Sequence, residues 1–519
     1  MTSLLRSLNY APVELHFGTS GLRGLVVDMT DLECYINTLG FLRFLATVGE
    51  IEAGQIVYVA GDLRDSTPRI TKAVVKAIVD GGYMPVYCGL IPTPAVALFG
   101  YSHLHPSIMV TGSHIPADRN GIKFNKRHDE VLKVDEGSIK EAVAAVRAEL
   151  YAQDEHASQF HDDGSLKESP ALPKVTDEAR EHYKARFLNI FGPETLAGKH
   201  VVMYQHSAVG RDVIVELLES LGAKVTAVGR SDVFIPIDSE NVTEANRAYF
   251  HKLVREHEEV FAVVSTDGDS DRPFVVDETG EFHRGDVLGA LVATWLGADA
   301  AAFPVSTSDA VTTQLTKEGV GWVETKIGSP FVISAMKDEV SQGKKRVVGW
   351  EVNGGFLTGS AFMVKGKELR PLPTRDAFTA ILVALVAACE ARDAVSEVFG
   401  RMPKRFTQAG LLNDFPVEVS KRLVQRFSAN GADVRRELET YFDEAHGFGK
   451  VTDVNTLDGV KISFSNGDVA HMRPSGNAPQ LRIYSVADSQ ERADEIVDMA
   501  LDEPDGIYRR MEKTLGKAL

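Results

Sequence analysis

Three stretches of the chain repeat one pattern of apolar and polar positions. Each has a β-rich run, a polar loop, an amphipathic stretch, one or two glycines and a second short β-rich run, at residues 56–89, 200–229 and 301–328. In the second stretch, Ile214, Leu217, Leu218 and Leu221 recur at helical spacing, which predicts a helix with one buried face. Strand, helix and strand in that order form a βαβ unit with a largely parallel sheet. Three weakly similar copies therefore predict three related α/β domains.

The pattern changes from about residue 405. Short strands are predicted between 450 and 486, with Asn466-Gly467 marking a tight hairpin, and residues 489–501 read as a helix. This combination predicts a C-terminal α+β domain. The polar stretch 152–169 has no helical or strand period and is the candidate for the first linker.

Composition narrows the class of protein. A chain of 519 residues predicts three or four domains. The net charge of −17 argues against nucleic acid as a partner, because such binding rests on clustered Lys and Arg. Three cysteines are too few for a disulfide framework, and the N-terminus lacks the apolar region of a signal peptide. The longest apolar stretch, 378–389, falls short of the roughly 20 residues that span a bilayer. We therefore expect a soluble cytoplasmic protein with no membrane partner and a buried helix at 378–389.

Three aspartates alternate with small residues after the apolar run at 260–266. Asp267, Asp269 and Asp271 can converge on one point, where ionised carboxylates repel one another unless a cation lies between them. Oxygen ligands suit a hard cation such as Mg²⁺. The alternatives are a solvated acidic turn, a phosphatase of the haloacid dehalogenase type and a calcium-binding EF-hand. The EF-hand fits less well, because Arg272 occupies its glycine position and the flanks are β-like.

Ser113 and His114 follow an apolar run that ends at Val110 and precede a polar loop. A serine at the end of a strand beside a histidine is compatible with acyl transfer. However, the letters TGSHI do not match G-x-S-x-G, and a plain polar turn is the alternative.

Two further loops combine groups that bind anions or hydroxyl groups. In the first, two arginines flank hydroxyl, amide and backbone N–H groups that could surround a phosphate: Arg473, Ser475, Gly476, Asn477 and Arg482. In the second, Glu351 and Asn353 lie beside glycines, and a carboxylate with an amide suits sugar hydroxyls. A simple turn is the alternative for each loop.

Taken in order, these motifs resemble the α-D-phosphohexomutase superfamily, which includes phosphomannomutases and phosphoglucomutases. The match runs from FGTSGLRG at 17–24 through TGSH, DGDSDR and the Glu351 loop to RPSGNAP, over nearly the whole chain. The resemblance implies three α/β domains with mixed sheets and a C-terminal α+β domain around a central cleft. We predict domains at 1–155 with a phosphoserine loop, 170–284 with a metal loop, 285–400 with a sugar loop and 405–519 with a phosphate loop.

The resemblance also implies roles for individual residues. Ser113 corresponds to the phosphoserine that gives its phosphoryl group to a sugar phosphate and takes another back. Mg²⁺ would be held by Ser113, Asp267, Asp269 and Asp271. Four side chains match positions beside the transferred group: Arg23 and Arg272, which would stabilise phosphoryl oxygens, and Lys123 and His114, which would assist proton transfer.

The remaining matched positions would bind the rest of the substrate. Glu351 and Asn353 would contact sugar hydroxyls. The non-reacting phosphate would be held by Arg473, Ser475, Gly476, Asn477 and Arg482.

The expected function is a Mg²⁺-dependent phosphohexomutase that interconverts the 6-phosphate and 1-phosphate of mannose or glucose. A hexose 1,6-bisphosphate would be both the intermediate and an activator, and small-molecule sugar phosphates would be the partners. The alternatives are a mutase of glucosamine or N-acetylglucosamine phosphates and a catalytically silent paralogue that binds sugar phosphates.

Three departures from the family pattern stand out. Ile115 replaces the usual asparagine after Ser-His, Asn353 replaces the usual serine in the sugar loop, and Asn477-Ala478 replaces the common Thr-Glu. The change at Asn353 bears on which sugar is preferred.

Overall fold

The computed structural model describes residues 2–18, 21–428, 431–475 and 479–516. The chain divides into two compact units, one of residues 1–301 and 328–399 and the other of residues 302–327 and 400–519.

The first α/β segment is a mixed sheet with helices. Its strands are β1 (His16–Phe17), β2 (Leu22–Leu25), β3 (Ile56–Gly61), β4 (Met84–Leu90), β5 (Ser107–Val110) and β6 (Arg119–Asn125), in the order β1-β2-β6-β5-β3-β4. Its helices are α1 (Leu4–Ser7), α2 (Asp31–Thr47), α3 (Thr67–Asp80), α4 (Thr93–His103) and α5 (Glu136–Tyr151). Strand β3 is parallel to β4 and β5, whereas β6 returns antiparallel to β5 and pairs Lys123 with Met109. The loop between β5 and β6 therefore leaves the carboxyl end of a buried parallel strand, the usual place for a ligand site in such sheets.

The second α/β segment repeats this plan. It contains α6 (Glu178–Leu188), β7 (His200–Tyr204), α7 (Arg211–Ser220), β8 (Lys224–Val228), α8 (Glu244–Glu256), β9 (Val260–Thr266), β10 (Pro273–Asp277) and β11 (Phe282–His283). The strand order is β11-β10-β9-β7-β8, with β7 parallel to β8 and β9. Strand β10 is antiparallel to β9, so the turn between them leaves the carboxyl end of β9.

The third α/β segment contributes to both units. Helices α9 (Gly285–Trp295), α11 (Ser329–Ser341) and α12 (Ala377–Ala391) belong to the first unit, while α13 (Val395–Gly400) ends at its boundary. Antiparallel β14 (Val347–Trp350), β15 (Phe356–Thr358) and β18 (Leu372–Asp376) are consecutive neighbours, and β16 (Phe362–Val364) pairs with β17 (Lys367–Leu369). Helix α10 (Asp309–Lys317) lies in the second unit between β12 (Ala300–Pro304), which begins just before that unit, and β13 (Gly321–Thr325), its neighbour in the sheet.

The C-terminal segment is an antiparallel sheet with helices. Strands β19 (Phe406–Leu412), β20 (Val451–Asn455), β21 (Val460–Phe464), β22 (Val469–Pro474) and β23 (Leu481–Ala487) are ordered β19-β23-β22-β21-β20. Helices α14 (Val417–Phe427), α15 (Ala432–Leu438), α16 (Gln490–Leu501) and α17 (Ile507–Gly516) complete it, with a 3₁₀ turn at Glu444–His446. Within the second unit, Lys461 Nζ donates to Glu324 Oε1 at 3.1 Å and to the Val305 carbonyl at 2.8 Å.

The predicted fold class is confirmed. All three repeats form a strand, a helix and a strand, and Ile214, Leu217, Leu218 and Leu221 are fully buried. The hairpin at Asn466-Gly467 joins antiparallel β21 and β22, and Gly467 has a φ of 88° that suits glycine. Residues 378–389 lie in α12, which is buried along nearly all its length. In the described ranges, no helix is both long and apolar enough to span a bilayer.

The stretch proposed as the first linker has no helix or strand, but it is anchored to the first segment. Phe160 is 1% exposed, and its ring lies 5.4 Å from that of Tyr35 on α2. Leu166 is also buried in this core, and its backbone N–H donates to Asp31 at 3.1 Å. Phe160 and Leu166 are surrounded by polar residues in the sequence, so this contact could not be predicted from it.

We expect Phe160→Ala to release this segment, because truncating a buried Phe costs about 3–5 kcal/mol of packing. Trypsin should then cleave after Lys167, whose Nζ donates to the Ser158 carbonyl at 2.7 Å, at least about tenfold faster than in the wild type. Val134→Ala is the control, since Val134 is 82% exposed. Equal cleavage rates in the two variants would show that Phe160 does not anchor the stretch 152–169.

Candidate active site

The aspartate loop joins β9 to β10 in a tight turn. Thr266 pairs with Pro273 across the two strands, and the Asp267 N–H donates to the Arg272 carbonyl at 3.0 Å. Asp267, Asp269 and Asp271 are all buried, and one carboxylate oxygen of each lies within 4.8 Å of the others. The predicted convergence is therefore present.

The EF-hand alternative is wrong. The loop is flanked by strands, and Glu278, which would be its last ligand, instead accepts hydrogen bonds from the backbone N–H and the hydroxyl of Ser396. An EF-hand needs flanking helices and that carboxylate at the ion.

Cationic side chains offset the repulsion among the aspartates. Lys123 Nζ on β6 lies 2.6 Å from Oδ2 of both Asp269 and Asp271. Burial would lower the pKa of Lys123, but these two carboxylates outweigh it and raise the pKa above its usual value. Arg375, at the end of β18, donates from two nitrogens to Asp271 Oδ2, at 2.7 and 3.1 Å.

The pKa values of Asp267 and Asp271 are shifted in opposite directions as a result. Burial and the neighbouring Asp269 and Asp271 carboxylates raise the pKa of Asp267 well above its usual value. Burial acts in the same sense on Asp271, yet Arg375 and Lys123 hold its pKa well below the usual range. Without a bound cation, Asp267 is thus easier to protonate than Asp271.

Two carboxylate oxygens of this group lack a donor. Asp269 Oδ1 and Asp271 Oδ1 are buried, and neither has a hydrogen-bond partner among the described residues. Buried acceptors of this kind are uncommon unless an ion or water completes them. Together with an oxygen-only donor set, they fit a hard divalent cation such as Mg²⁺.

Ser113 lies directly against the aspartate loop. Its Oγ donates to Asp267 Oδ2 at 2.6 Å, and its backbone N–H donates to Thr111 Oγ1 at 2.8 Å. Ser113 has a φ of 55°, a conformation that non-glycine residues adopt at a cost and that often marks functional sites. A Cβ on Gly268 would approach the Ser113 carbonyl to 2.6 Å, so the close contact of the two loops requires glycine there.

Arg64, which the sequence motifs did not single out, holds the serine loop from inside. Its guanidinium lies 3.2 Å from Asp62 and stacks over the ring of Phe234 with 3.8 Å to the centroid. It donates at 2.6–2.9 Å to four loop carbonyls, those of Ser113, Ile115, Pro116 and Arg119. The signal that could have revealed it is its position in the polar loop of the first βαβ repeat.

The other predicted catalytic side chains lie in the same electrostatic environment. Burial, with Arg272 and Arg375 nearby, lowers the pKa of Arg23 to about 10, so it remains a cation at neutral pH. Burial, with the nearby arginines Arg272 and Arg23, lowers the pKa of His114 to about 2, so its ring is neutral. His114 Nδ1 lies 3.4 Å from Ser113 Oγ. Arg272 Nε is buried and has no hydrogen-bond partner within the described ranges, which leaves a donor available for an anion.

The sugar loop is the turn between β14 and β15. Glu351 is 5% exposed, and its Oε2 accepts a hydrogen bond from Arg375 at 2.6 Å. Asn353 donates from Nδ2 to Glu240 Oε1 at 2.9 Å and accepts at Oδ1 from the Gly355 N–H at 3.0 Å. Both ends of the Asn353 amide are thus bonded within the protein, and Glu240 joins the site from the irregular segment between β8 and α8.

The phosphate loop belongs to the second unit. Arg473 on β22 is paired across the sheet with Arg482 on β23, and its Nε lies 3.1 Å from Asp458 Oδ2. The Ser475 N–H donates to the Gln480 carbonyl at 3.0 Å. Gly476 and Asn477 lie outside the described residues.

The first unit therefore brings together the serine, metal and sugar loops, with Lys123 bound to two carboxylates of the metal loop. The sequence motifs missed Arg64, Arg375, Glu240 and Thr93, whose hydroxyl donates to Asp269 Oδ2 at 2.5 Å. Arg375 carried a weak signal, a charged residue three positions before the long apolar run at 378–389.

Four family models cover most of the chain. They are the phosphoglucomutase/phosphomannomutase alpha/beta/alpha domains I, II and III, at residues 14–149, 181–280 and 284–406, and the C-terminal domain at 423–503. The chain therefore belongs to the phosphoglucomutase/phosphomannomutase family and is a phosphosugar mutase, an enzyme of the isomerase class.

Individual relatives agree with this assignment. A phosphomannomutase of Sinorhizobium fredii is 37% identical over 485 residues, which covers 93% of this chain and 98% of the relative. A phosphomannomutase of Salmonella muenchen is 37% identical over 490 residues, with 94% and 95% covered. The crystal structure of a phosphoglucomutase/phosphomannomutase family protein from Burkholderia thailandensis superposes with a TM-score of 0.70 at 17% identity, covering 99% and 98% of the two chains, and shows the same fold.

We expect Arg64→Lys to lower kcat about 100-fold, because one ammonium group cannot hold four carbonyls and a small displacement of a reacting group costs about that much. Steady-state kinetics at saturating Mg²⁺ should show the loss, while the far-UV circular dichroism stays unchanged. Arg43→Lys is the matched control, since Arg43 pairs with Glu149 at an exposed site. A kcat within twofold of wild type for Arg64→Lys would mean that the loop holds its shape without Arg64.

Proposed function

We propose that the protein interconverts hexose 6-phosphate and hexose 1-phosphate, with mannose or glucose as the sugar, through a phosphoserine at Ser113. The observation that carries this proposal is the hydrogen bond of 2.6 Å from Ser113 Oγ to Asp267, inside a buried aspartate group with two oxygens that have no donor among the described residues. A sugar-binding protein without catalysis would need neither the hydroxyl nor the acidic group at that spacing. Family membership and the 37% identity to phosphomannomutases support the choice of hexose phosphates.

In the proposed first half-reaction, a sugar hydroxyl oxygen forms a bond to the phosphorus of phosphoserine 113 while the phosphorus–Oγ bond breaks. The product is a hexose 1,6-bisphosphate, and in the second half-reaction its other phosphoryl group moves to Ser113 Oγ. The hydroxyl proton needs an acceptor and Oγ needs a donor. The family pattern gives these two roles to His114 and Lys123. The shifted pKa values leave His114 neutral and Lys123 charged, but they also make His114 a weaker base and Lys123 a weaker acid than usual, so the assignment rests on the matched positions and not on the shifts.

Mg²⁺ would be held by Asp267, Asp269 and Asp271 with an oxygen on Ser113, and when bound it would neutralise the acidic group and polarise the phosphoryl group. Arg272, whose buried Nε has no hydrogen-bond partner in the described part of the chain, and Arg23 are suited to bind phosphoryl oxygens.

The other ligand contacts in this proposal follow the family pattern. Glu351 binds sugar hydroxyls, and Asn353 acts mainly by holding Glu240 toward the sugar. Arg473, Ser475, Gly476, Asn477 and Arg482 bind the phosphate that is not transferred. Guanidinium and backbone N–H donors recognise that phosphate whichever carbon carries it. We also propose a cytoplasmic location, consistent with the free thiols of Cys34, Cys88 and Cys389.

The function is tested by following the 1-phosphates of mannose, glucose, glucosamine and N-acetylglucosamine by ³¹P NMR with Mg²⁺ and hexose 1,6-bisphosphate present. We expect conversion of the mannose or glucose compound, or both, to the 6-phosphate at the highest kcat/KM. Faster conversion of an amino-sugar phosphate would assign the protein to that alternative, and no conversion of any compound would support a silent binder.

Ser113→Ala should abolish turnover, because the phosphoryl acceptor is lost while the small buried hydroxyl contributes little to packing. The variant should also fail to take up radiolabelled phosphate from hexose 1,6-bisphosphate. Ser102→Ala, at an exposed serine that contacts His182, is the control and should label normally. Labelling of Ser113→Ala at the wild-type level would identify a different acceptor.

Asn353→Ser should change the ratio of kcat/KM values for mannose and glucose phosphates by about tenfold, since one buried polar contact is worth about that in substrate discrimination. A serine hydroxyl is too short to donate to Glu240 and accept from Gly355 together, so Glu240 would be released. Glu240→Gln keeps an acceptor for Asn353 but removes the charge, and separates the effect of position from that of charge. An unchanged ratio in both variants would place sugar choice elsewhere.

A further inference from the structure

Arg375 is shared by two loops that the proposed function gives to different parts of the substrate. The residue is the last but one of β18, directly before Asp376, the N-cap of α12, and is only 2% exposed. Its Nε and one terminal nitrogen donate to Asp271 Oδ2, and the other terminal nitrogen donates to Glu351 Oε2. One planar guanidinium thus fixes a carboxylate of the metal loop and a carboxylate of the sugar loop.

The contact also decides which oxygen of Asp271 remains open. Arg375 and Lys123 both donate to Oδ2, and Oδ1 is the buried oxygen that has no hydrogen-bond partner among the described residues. A carboxylate held by two cationic groups on one oxygen cannot rotate freely. The guanidinium therefore fixes Oδ2 and leaves Oδ1, which lies 3.8 Å from Arg272 Nε, as the oxygen of Asp271 that a cation could take.

Glu351 depends on the same group. Its carboxylate is buried, and the ion pair with Arg375 at 2.6 Å offsets the cost of burying its charge. A carboxylate that binds sugar hydroxyls must be fixed in direction, and the bond from Arg375 supplies that constraint.

We propose that Arg375 is a positioning residue that couples cation binding at the aspartate group to sugar binding at Glu351. The inference rests on the proposed function. A divalent cation at the aspartates withdraws charge from Asp271, which weakens the hold of Arg375 on Oδ2 and strengthens its pair with Glu351. Bound cation then orients Glu351 for the sugar, and by thermodynamic reciprocity bound sugar tightens the cation.

The test is isothermal titration calorimetry with a hexose 6-phosphate that lacks the 1-hydroxyl group. This probe cannot accept a phosphoryl group at C1, so binding is measured without turnover. The linkage is the factor by which saturating Mg²⁺ lowers the Kd of the probe. We expect about tenfold in the wild type, within the usual range of coupling between two sites.

Arg375→Lys keeps the charge but loses the planar fork. We expect its linkage to fall to about one and its Kd for Mg²⁺ alone to rise about tenfold, since the Asp271 oxygen is no longer held in place. Arg375→Gln should also lose the linkage, although removal of a nearby positive charge by itself would tighten Mg²⁺. Arg186→Lys is the matched control, because Arg186 donates to the Arg370 carbonyl at 2.8 Å and to Thr358, without contact to either loop.

Glu351→Gln isolates the other arm of the coupling. Arg375 keeps its bonds to Asp271 in this variant, so the Kd for Mg²⁺ should stay within about twofold of wild type while the linkage falls to about one. If Arg375→Lys or Arg375→Gln folded and kept both the wild-type Kd for Mg²⁺ and the wild-type linkage, the coupling would be refuted. A lowered Tm with unchanged linkage would likewise make Arg375 a purely structural residue.

Failure of the inference can be told apart from failure of the function. A wild-type enzyme that converts hexose 1-phosphates but shows no linkage refutes only the role of Arg375. A wild-type protein that converts none of the four sugar phosphates refutes the proposed function itself.

Discussion

The site depends on one electrostatic constraint, the burial of three aspartates whose oxygens lie within 4.8 Å of one another. Such a group is very costly unless positive charge surrounds it. Lys123, Arg375 and Arg272 come from three different places in the chain to supply that charge. The aspartates can therefore be buried only when β6, the end of β18 and the tight turn after β9 are correctly placed relative to one another.

The parts of the fold that could be predicted from the sequence are those in which apolar and polar residues alternate with a short period. Each βαβ repeat carries its own signal in 28 to 34 residues, and the aspartate loop is visible because three carboxylates alternate with small residues within five positions. A period of 3.6 or of 2 is a local property, so one sequence is enough to read it.

The site residues that the sequence motifs missed are those whose contacts lie far away in the chain. Arg64 donates to the Ser113 carbonyl 49 positions away, and Arg375 donates to Asp271 across 104 positions. The residues that flank either arginine in the chain do not indicate which groups it will contact. The same is true of Phe160, which lies in a polar stretch but joins the core through Tyr35. The motifs thus located the groups suited to chemistry, while the groups that hold them in place became visible only in three dimensions.

Ile115 shows why some motif positions can vary freely. Arg64 contacts this residue through its carbonyl oxygen, at 2.6 Å, and every residue type offers the same carbonyl. The loop around Ser113 can therefore keep its shape when an isoleucine replaces the usual asparagine after the histidine. A search pattern that demands asparagine at this position would discard chains with an intact loop. A pattern built on Arg64 and on the two glycines beside the loop would retain them, because a Cβ on Gly112 would come within 2.6 Å of the Arg64 guanidinium and a Cβ on Gly268 within 2.6 Å of the Ser113 carbonyl.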